Sequence, residues 1–237
     1  YDENDEPMAL PSGEYGYTKD YDGNNNLSVL TYIDNEGNPI NILSGYSIIH
    51  YDEYDTLGNV LYLRYCDEND KPVSASLGYS GIKYVRDENG VILEEYYYDE
   101  SGDIIRFSSG YSGKRYEYND DKQIIRYTCL DDKGNLIMTT SGFSTVAYTG
   151  YDDEGRVLGE RYYDLQGNAV MNISGYAGID YVRDSYGRLI CYSYVDLSGK
   201  PVNNNVGYAY YKIQYDEKGE VIEKNYYDVN MKAVVIE

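Results

Sequence analysis

Two glycine turns recur together seven times along this chain at a nearly fixed pitch. In one copy they read Asp87-Glu-Asn-Gly90 and Asp99-Glu-Ser-Gly102, with the aspartates 12 residues apart. The same 12 separates Asp22 from Asp34, Asp55 from Asp67, Asn119 from Asp131, Asp152 from Asp164, Asp184 from Asp196 and Asp216 from Asp228. From each second turn to the next first turn the step is 20 or 21 residues, so the unit is 32 or 33 residues long. A sustained period of this length specifies a repeat architecture. Such arrays act through many equivalent positions.

Eight residues lie between the paired turns, as in Val91–Tyr98, a natural strand length. Asp-x-x-Gly suits a type I turn closed by a residue at positive φ, where glycine costs least. Asp70 and Lys122 stand in place of that glycine. Counting back from the second-turn aspartate, the minus-seven column is Leu27, Val60, Ile92, Ile124, Val157, Leu189 and Val221. The minus-six column is Ser28, Leu61, Leu93, Ile125, Leu158, Ile190 and Ile222. At minus two stand Tyr32, Tyr65, Tyr97, Cys129, Tyr162, Tyr194 and Tyr226. A period of two puts the minus-six and minus-two columns on one face.

After the second turn comes an apolar pair such as Pro39-Ile40 or Ile104-Ile105. A Gly-aromatic step follows: Gly45-Tyr46, Gly78-Tyr79, Gly110-Tyr111, Gly142-Phe143, Gly175-Tyr176 and Gly207-Tyr208, with Gly16-Tyr17 as an offset copy. Read as a bulge glycine, it bends a long strand. The pattern predicts an all-β fold, a repetitive antiparallel β-meander or solenoid of about seven Tyr/Gly repeats, two strands per repeat. We expect one elongated domain over 1–237. Its units run over about 16–44, 45–77, 78–109, 110–141, 142–174, 175–206 and 207–237, after a partial repeat at 1–15.

Tyrosine supplies much of the core: there are 34, against two phenylalanines and no tryptophan. A net charge of −21 repels phosphate, which argues against nucleic acid and anionic lipid as partners. No run is long and apolar enough for membrane insertion. The three cysteines occupy three different repeat positions and match no metal spacing. The chain opens in mid-repeat with Tyr1-Asp2, as a fragment of a longer protein would.

The chemistry-bearing candidates are few. His50, the sole histidine, reads as an incidental sheet residue with no nucleophile marked out for it. Acidic pairs (Asp152-Asp153, Asp131-Asp132, Glu94-Glu95) are expected by chance among 41 acids, although glycoside hydrolysis needs two carboxyls. The turns at Asp87-Glu88-Asn89 and Asp2-Glu3-Asn4 offer oxygens to calcium but match no calcium motif. Turn chemistry explains them. We therefore expect no enzyme activity, no metal and no cofactor.

Stretches such as 148–164 (YTGYDDEGRVLGERYYD) and 181–196 (YVRDSYGRLICYSYVD) resemble the YD repeats of RHS proteins. Residues 162–182 are similar to the cell-wall-binding repeats that hold choline or glucan, and 97–105 resembles MORN-type repeats. The first resemblance implies a β-sheet shell around a secreted toxin, the second a glycan or cell-wall ligand held by aromatic hairpins. The expectation is a non-enzymatic module of a bacterial surface or secreted protein, extracellular, binding cell-wall or host glycan or acting as a spacer. Its partners would be that polymer or other domains of a longer parent; the alternative is a shell fragment of an RHS-like toxin. The residues expected to meet a ligand are Tyr32, Tyr65, Tyr97, Tyr162, Tyr194 and Tyr226. Should their face be buried, they form a core ladder instead.

Overall fold

A computed structural model describes residues 8–236. Among them are no helices, and 15 antiparallel strands follow one another in chain order through one open sheet. The strands are β1 (Gly16–Tyr21), β2 (Leu27–Ile33), β3 (Ile48–Tyr54), β4 (Val60–Cys66), β5 (Gly81–Arg86), β6 (Ile92–Tyr98), β7 (Gly113–Tyr118) and β8 (Ile124–Leu130). They continue as β9 (Thr145–Tyr148), β10 (Gly159–Tyr163), β11 (Gly178–Arg183), β12 (Leu189–Val195), β13 (Tyr210–Tyr215), β14 (Val221–Tyr227) and β15 (Ala233–Val234). The expected all-β meander is therefore present. The chain forms two compact units, one reaching to Arg106 with Ser112–Lys114, the other made of Phe107–Tyr111 and the residues from Arg115 onward. Residues 1–7, and with them Asp2-Glu3-Asn4 and the start of the partial repeat, lie outside the described residues.

The turns fold as their sequence dictates. Each turn aspartate accepts two backbone N–H groups, from the residues two and four places on; in Asp131 these are Lys133 at 2.9 Å and Asn135 at 2.8 Å. The fourth residue is left-handed, with Gly134 at φ 79°. Asn25 and Met231 join Asp70 and Lys122 as non-glycine residues in that conformation, at φ 60–66°.

Two features differ from expectation. The Gly-Tyr glycine does not bend a strand: it closes a third turn. Thr139 N–H bonds Phe143 C=O at 2.8 Å and Gly142 N–H bonds Thr139 C=O at 3.0 Å, the pattern of the aspartate turns. Positive φ at Gly45, Gly78, Gly110, Gly142, Gly175 and Gly207 completes it. The first such turn is Leu10–Glu14, so Gly13 rather than Gly16 is the counterpart of these glycines.

Between the second and third turns the chain makes one bridge back to its strand, as Leu130 to Leu136, and one further bond, from Ile137 N–H to Cys129 C=O. Third turns of successive copies are bonded to each other as well. Leu43 N–H reaches Ser12 C=O and Ser76 reaches Ser44; in the other unit Thr140 reaches Ser109, Ile173 reaches Ser141 and Asn205 reaches Ser174.

The second difference concerns facing. In β5–β6, Val85 pairs with Glu94 and Arg86 with Ile92, so Leu93 is an unpaired bulge residue. Ser28, Ile190 and Ile222 occupy the same bulge in their copies. One extra residue shifts the alternation by one. The minus-seven column thus shares the tyrosine face, and the minus-six column sits on the bulge, where Leu93 and Ile222 are exposed.

Candidate functional site

The minus-two tyrosines lie where the strand forks. The N–H of Tyr97 donates to Ser112 C=O of the next copy, while its own carbonyl accepts Ile105 N–H from beyond the second turn. Both backbone groups are spent, and the ring is held at the covered end of the sheet. Tyr97, Tyr162 and Tyr194 are only 5%, 4% and 8% exposed; Tyr32, Tyr65 and Tyr226 are half-buried. Cys129 is buried in the same column.

Between consecutive members of that column stands the aromatic of a third turn. In the first unit the centroids run Tyr32–Tyr46 5.9 Å, Tyr46–Tyr65 4.6 Å, Tyr65–Tyr79 6.0 Å and Tyr79–Tyr97 4.9 Å. In the second they run Phe143–Tyr162 4.7 Å, Tyr162–Tyr176 5.9 Å, Tyr176–Tyr194 4.1 Å, Tyr194–Tyr208 5.5 Å and Tyr208–Tyr226 4.7 Å. Within each unit two columns of rings are shuffled into one ladder, at separations where aromatic pairs attract. Behind it, Ile49, Ile82 and Val146 pair across the strands with Tyr65, Tyr97 and Tyr162 and are buried. The six tyrosines expected to meet a ligand thus pack against the third-turn aromatics, stacked in Phe143–Tyr162 and Tyr176–Tyr194, edge-on in Tyr32–Tyr46 and Tyr208–Tyr226, and tilted in the other pairs.

The hydroxyls find carboxylates where the sequence supplies them. Tyr97 donates to Glu95 and Tyr162 to Glu160, each two residues back on the same strand. Burial raises the Glu160 pKa above its ordinary value, a shift the bond from Tyr162 partly offsets. Tyr84 is pushed up to about 12, first by burial and then by the Glu95 charge.

The acidic pairs do not converge on one bond. Glu94 and Glu95 are neighbours on β6 and point to opposite faces. Asp131 and Asp152 are committed to their own turns. Asp87 likewise accepts Asn89 and Val91 N–H at 2.9 Å, both on Oδ1, so that oxygen is committed to its own turn.

A cleft of about 300 Å³ opens in the second unit between the third turns of two adjacent copies. Tyr176, Tyr194 and Tyr208 line its floor, Asn204 and Asn205 bring amides, and Ile173 and Val206 stand exposed at its lip. The sequence does not disclose it, because these third turns open on Asn172 and Asn204 without the aspartate that marks the paired turns.

No known family profile and no curated protein matches the chain. Among solved structures the chain is similar to a Photorhabdus luminescens Tc holotoxin pore, with a TM-score of 0.34 and 12% identity over 92% of this chain and 11% of the other. It is also similar to a TcdB2-TccC3 structure, with a TM-score of 0.33 and 12% identity over 91% and 14% of the two chains. A TcdB2-TccC3-TEV structure gives a TM-score of 0.33 and 14% identity over 92% and 14%. The chain spans between 11% and 14% of the length of these chains. Likeness at this level carries no activity across.

Proposed function

We propose that this chain is a non-enzymatic structural repeat module, a length of self-sealed β-sheet in a larger bacterial surface or secreted protein. The observation that carries this reading is the shuffled ring ladder. Rings spaced 4.1–6.0 Å apart pack on one another, and Tyr97, Tyr162 and Tyr194 are buried, so the column does not present a row of open faces for a polymer to stack on. The bonds between third turns serve the same end, since within each unit they tie copies to their neighbours. A wall segment in an RHS-like secreted shell is the form of this role that the sequence resemblance names.

The cleft at Tyr176, Tyr194 and Tyr208 favours a second reading, glycan binding at an aromatic floor flanked by amides. A peptidoglycan and glycan-array screen of the full chain separates the two. The structural role predicts no retention, and predicts that Tyr162→Ala lowers the unfolding free energy by about 3–5 kcal/mol. A retained glycan, lost in Tyr176→Ala or Tyr208→Ala variants that melt like the parent, would overturn it in favour of binding.

A further inference from the structure

In the first unit three departures from the repeat pattern meet at one point. His50, the chain's sole histidine, stands on β3 where other copies carry Lys83, Arg115, Ala147, Asp180 and Lys212. Cys66 ends β4 where others carry Ile33, Tyr98, Leu130, Tyr163, Val195 and Tyr227. Asp70 takes the left-handed position of the following turn, at φ 60°, where Gly37, Gly102, Gly134, Gly167 and Gly199 stand in five other copies and Met231 in the last. A carboxylate residue has thus displaced glycine at a position where any side chain costs strain.

These three side chains face one another. His50 Nε2 lies 2.6 Å from Asp70 Oδ1, and the imidazole nitrogen, the Cys66 sulfur and the Asp70 oxygen are all within 4.8 Å of each other. Cys66 is fully buried and Asp70 is exposed, so the cluster has a closed floor and an open side. Nearby, Arg64 Nη1 is 3.8 Å from the sulfur, and its charge is balanced by Asp52, whose Oδ2 accepts Nε at 2.7 Å.

We propose that His50, Cys66 and Asp70 form a binding site for a divalent transition-metal ion, with zinc the best match to the donor set. Imidazole nitrogen, thiolate sulfur and one carboxylate oxygen are zinc's usual ligands, and water completes a tetrahedron. Calcium and magnesium are poor matches, because they take oxygen ligands. From ordinary zinc–ligand lengths, the donors of a tetrahedral site stand roughly 3.3–3.7 Å apart. The cluster must close by about an ångström at its widest while His50 Nε2 and Asp70 Oδ1, now 2.6 Å apart, open by roughly 0.7 Å, movements open to the exposed Asp70 carboxylate and the His50 ring. Binding replaces the thiol proton with the metal, and the proton leaves to solvent. The bound ion joins β3, β4 and the second turn, acting as a clamp that only this copy carries.

Cobalt titration of the full chain, stripped with chelator, tests this. Equimolar cobalt is expected to give a thiolate-to-cobalt charge-transfer band with the intense ligand-field bands of a four-coordinate ion, and zinc to bleach both. Cys66→Ser should remove the charge-transfer band. Asp70→Gly, which restores the glycine that five other copies carry and so preserves the fold, should weaken cobalt binding on the order of tenfold or more. A Cys129→Ser/Cys191→Ser double variant should leave the spectrum unchanged. The assignment fails if equimolar cobalt gives no thiolate band, if the band survives Cys66→Ser, or if Asp70→Gly binds as tightly as the parent.

Discussion

Glu160 lies on the tyrosine face with its carboxylate accepting the Tyr162 hydroxyl, and burial lifts its pKa above the ordinary glutamate value. A folded pKa above the unfolded one means the folded chain prefers the neutral acid, so the charge costs stability above the folded pKa and costs nothing below the unfolded one. Glu160→Gln keeps an acceptor for Tyr162 and removes the charge. Its melting temperature should exceed that of the parent at pH 7, with the difference closing as the pH falls through the raised Glu160 value. Lys122 poses a backbone question instead: it sits at φ 61° in a first turn. Lys122→Gly should raise the unfolding free energy by up to about 1 kcal/mol, read from urea denaturation. That strain was visible in the sequence, because the turn aspartates count off the position. The buried charge was not, because whether the tyrosine face shared by Glu160 and Tyr162 is covered depends on the third-turn aromatics.

At the scale of the element, strands of successive copies are matched by size. Gly81 pairs with Arg64 and Gly178 with Arg161. A Cβ on Gly113 would come within 2.7 Å of the Tyr96 ring. Where the earlier residue is small, the later one is not glycine: Thr31 pairs with Ile48, Thr128 with Thr145 and Ser193 with Tyr210. A Cβ on Gly178 would meet the Glu160 carbonyl at 2.1 Å and the Arg161 side chain at 2.8 Å. Gly178→Ala should therefore cost about 1–3 kcal/mol in chemical denaturation, and adding Arg161→Thr should recover part of that loss. Turns and strand lengths were legible because aspartate and glycine mark them. The third turn was hidden because its first residue is Ile42, Ala75, Phe107, Thr139, Asn172 or Asn204, so its aspartate signal is missing. The minus-six column misled for another reason. A bulge of this kind leaves no residue signature of its own, and Leu93 looks as buried in sequence as Ile92 does.

For the whole molecule, the aspartate turns set the response to acid. Backbone N–H bonds hold the Asp22, Asp34, Asp67 and Asp152 carboxyls below their ordinary value. In Asp55, Asp131 and Asp164 the amide of the asparagine four residues on is the first cause, with backbone N–H groups adding to it. A carboxylate with a lowered folded pKa stabilises above its unfolded value, and that contribution fades as pH drops through the folded one. The melting temperature should hold from pH 7 to about 5 and fall below about 4. A profile flat to pH 3, or one that declines already at pH 6, would show that the turns do not govern it. The candidate site was legible only in part: the ring column could be counted, but its burial depends on a third-turn aromatic that the strand reading placed elsewhere. The size-matched pairs also bear on how such an array grows. Each copy carries one half of a pair at its trailing strand and the other half at its leading strand, as a domino carries two numbers. A copy ending in arginine or tyrosine needs a successor opening with glycine; a copy ending in threonine or serine can precede one opening with a side chain. Gene duplication can lengthen this chain, but its copies cannot be dealt in any order.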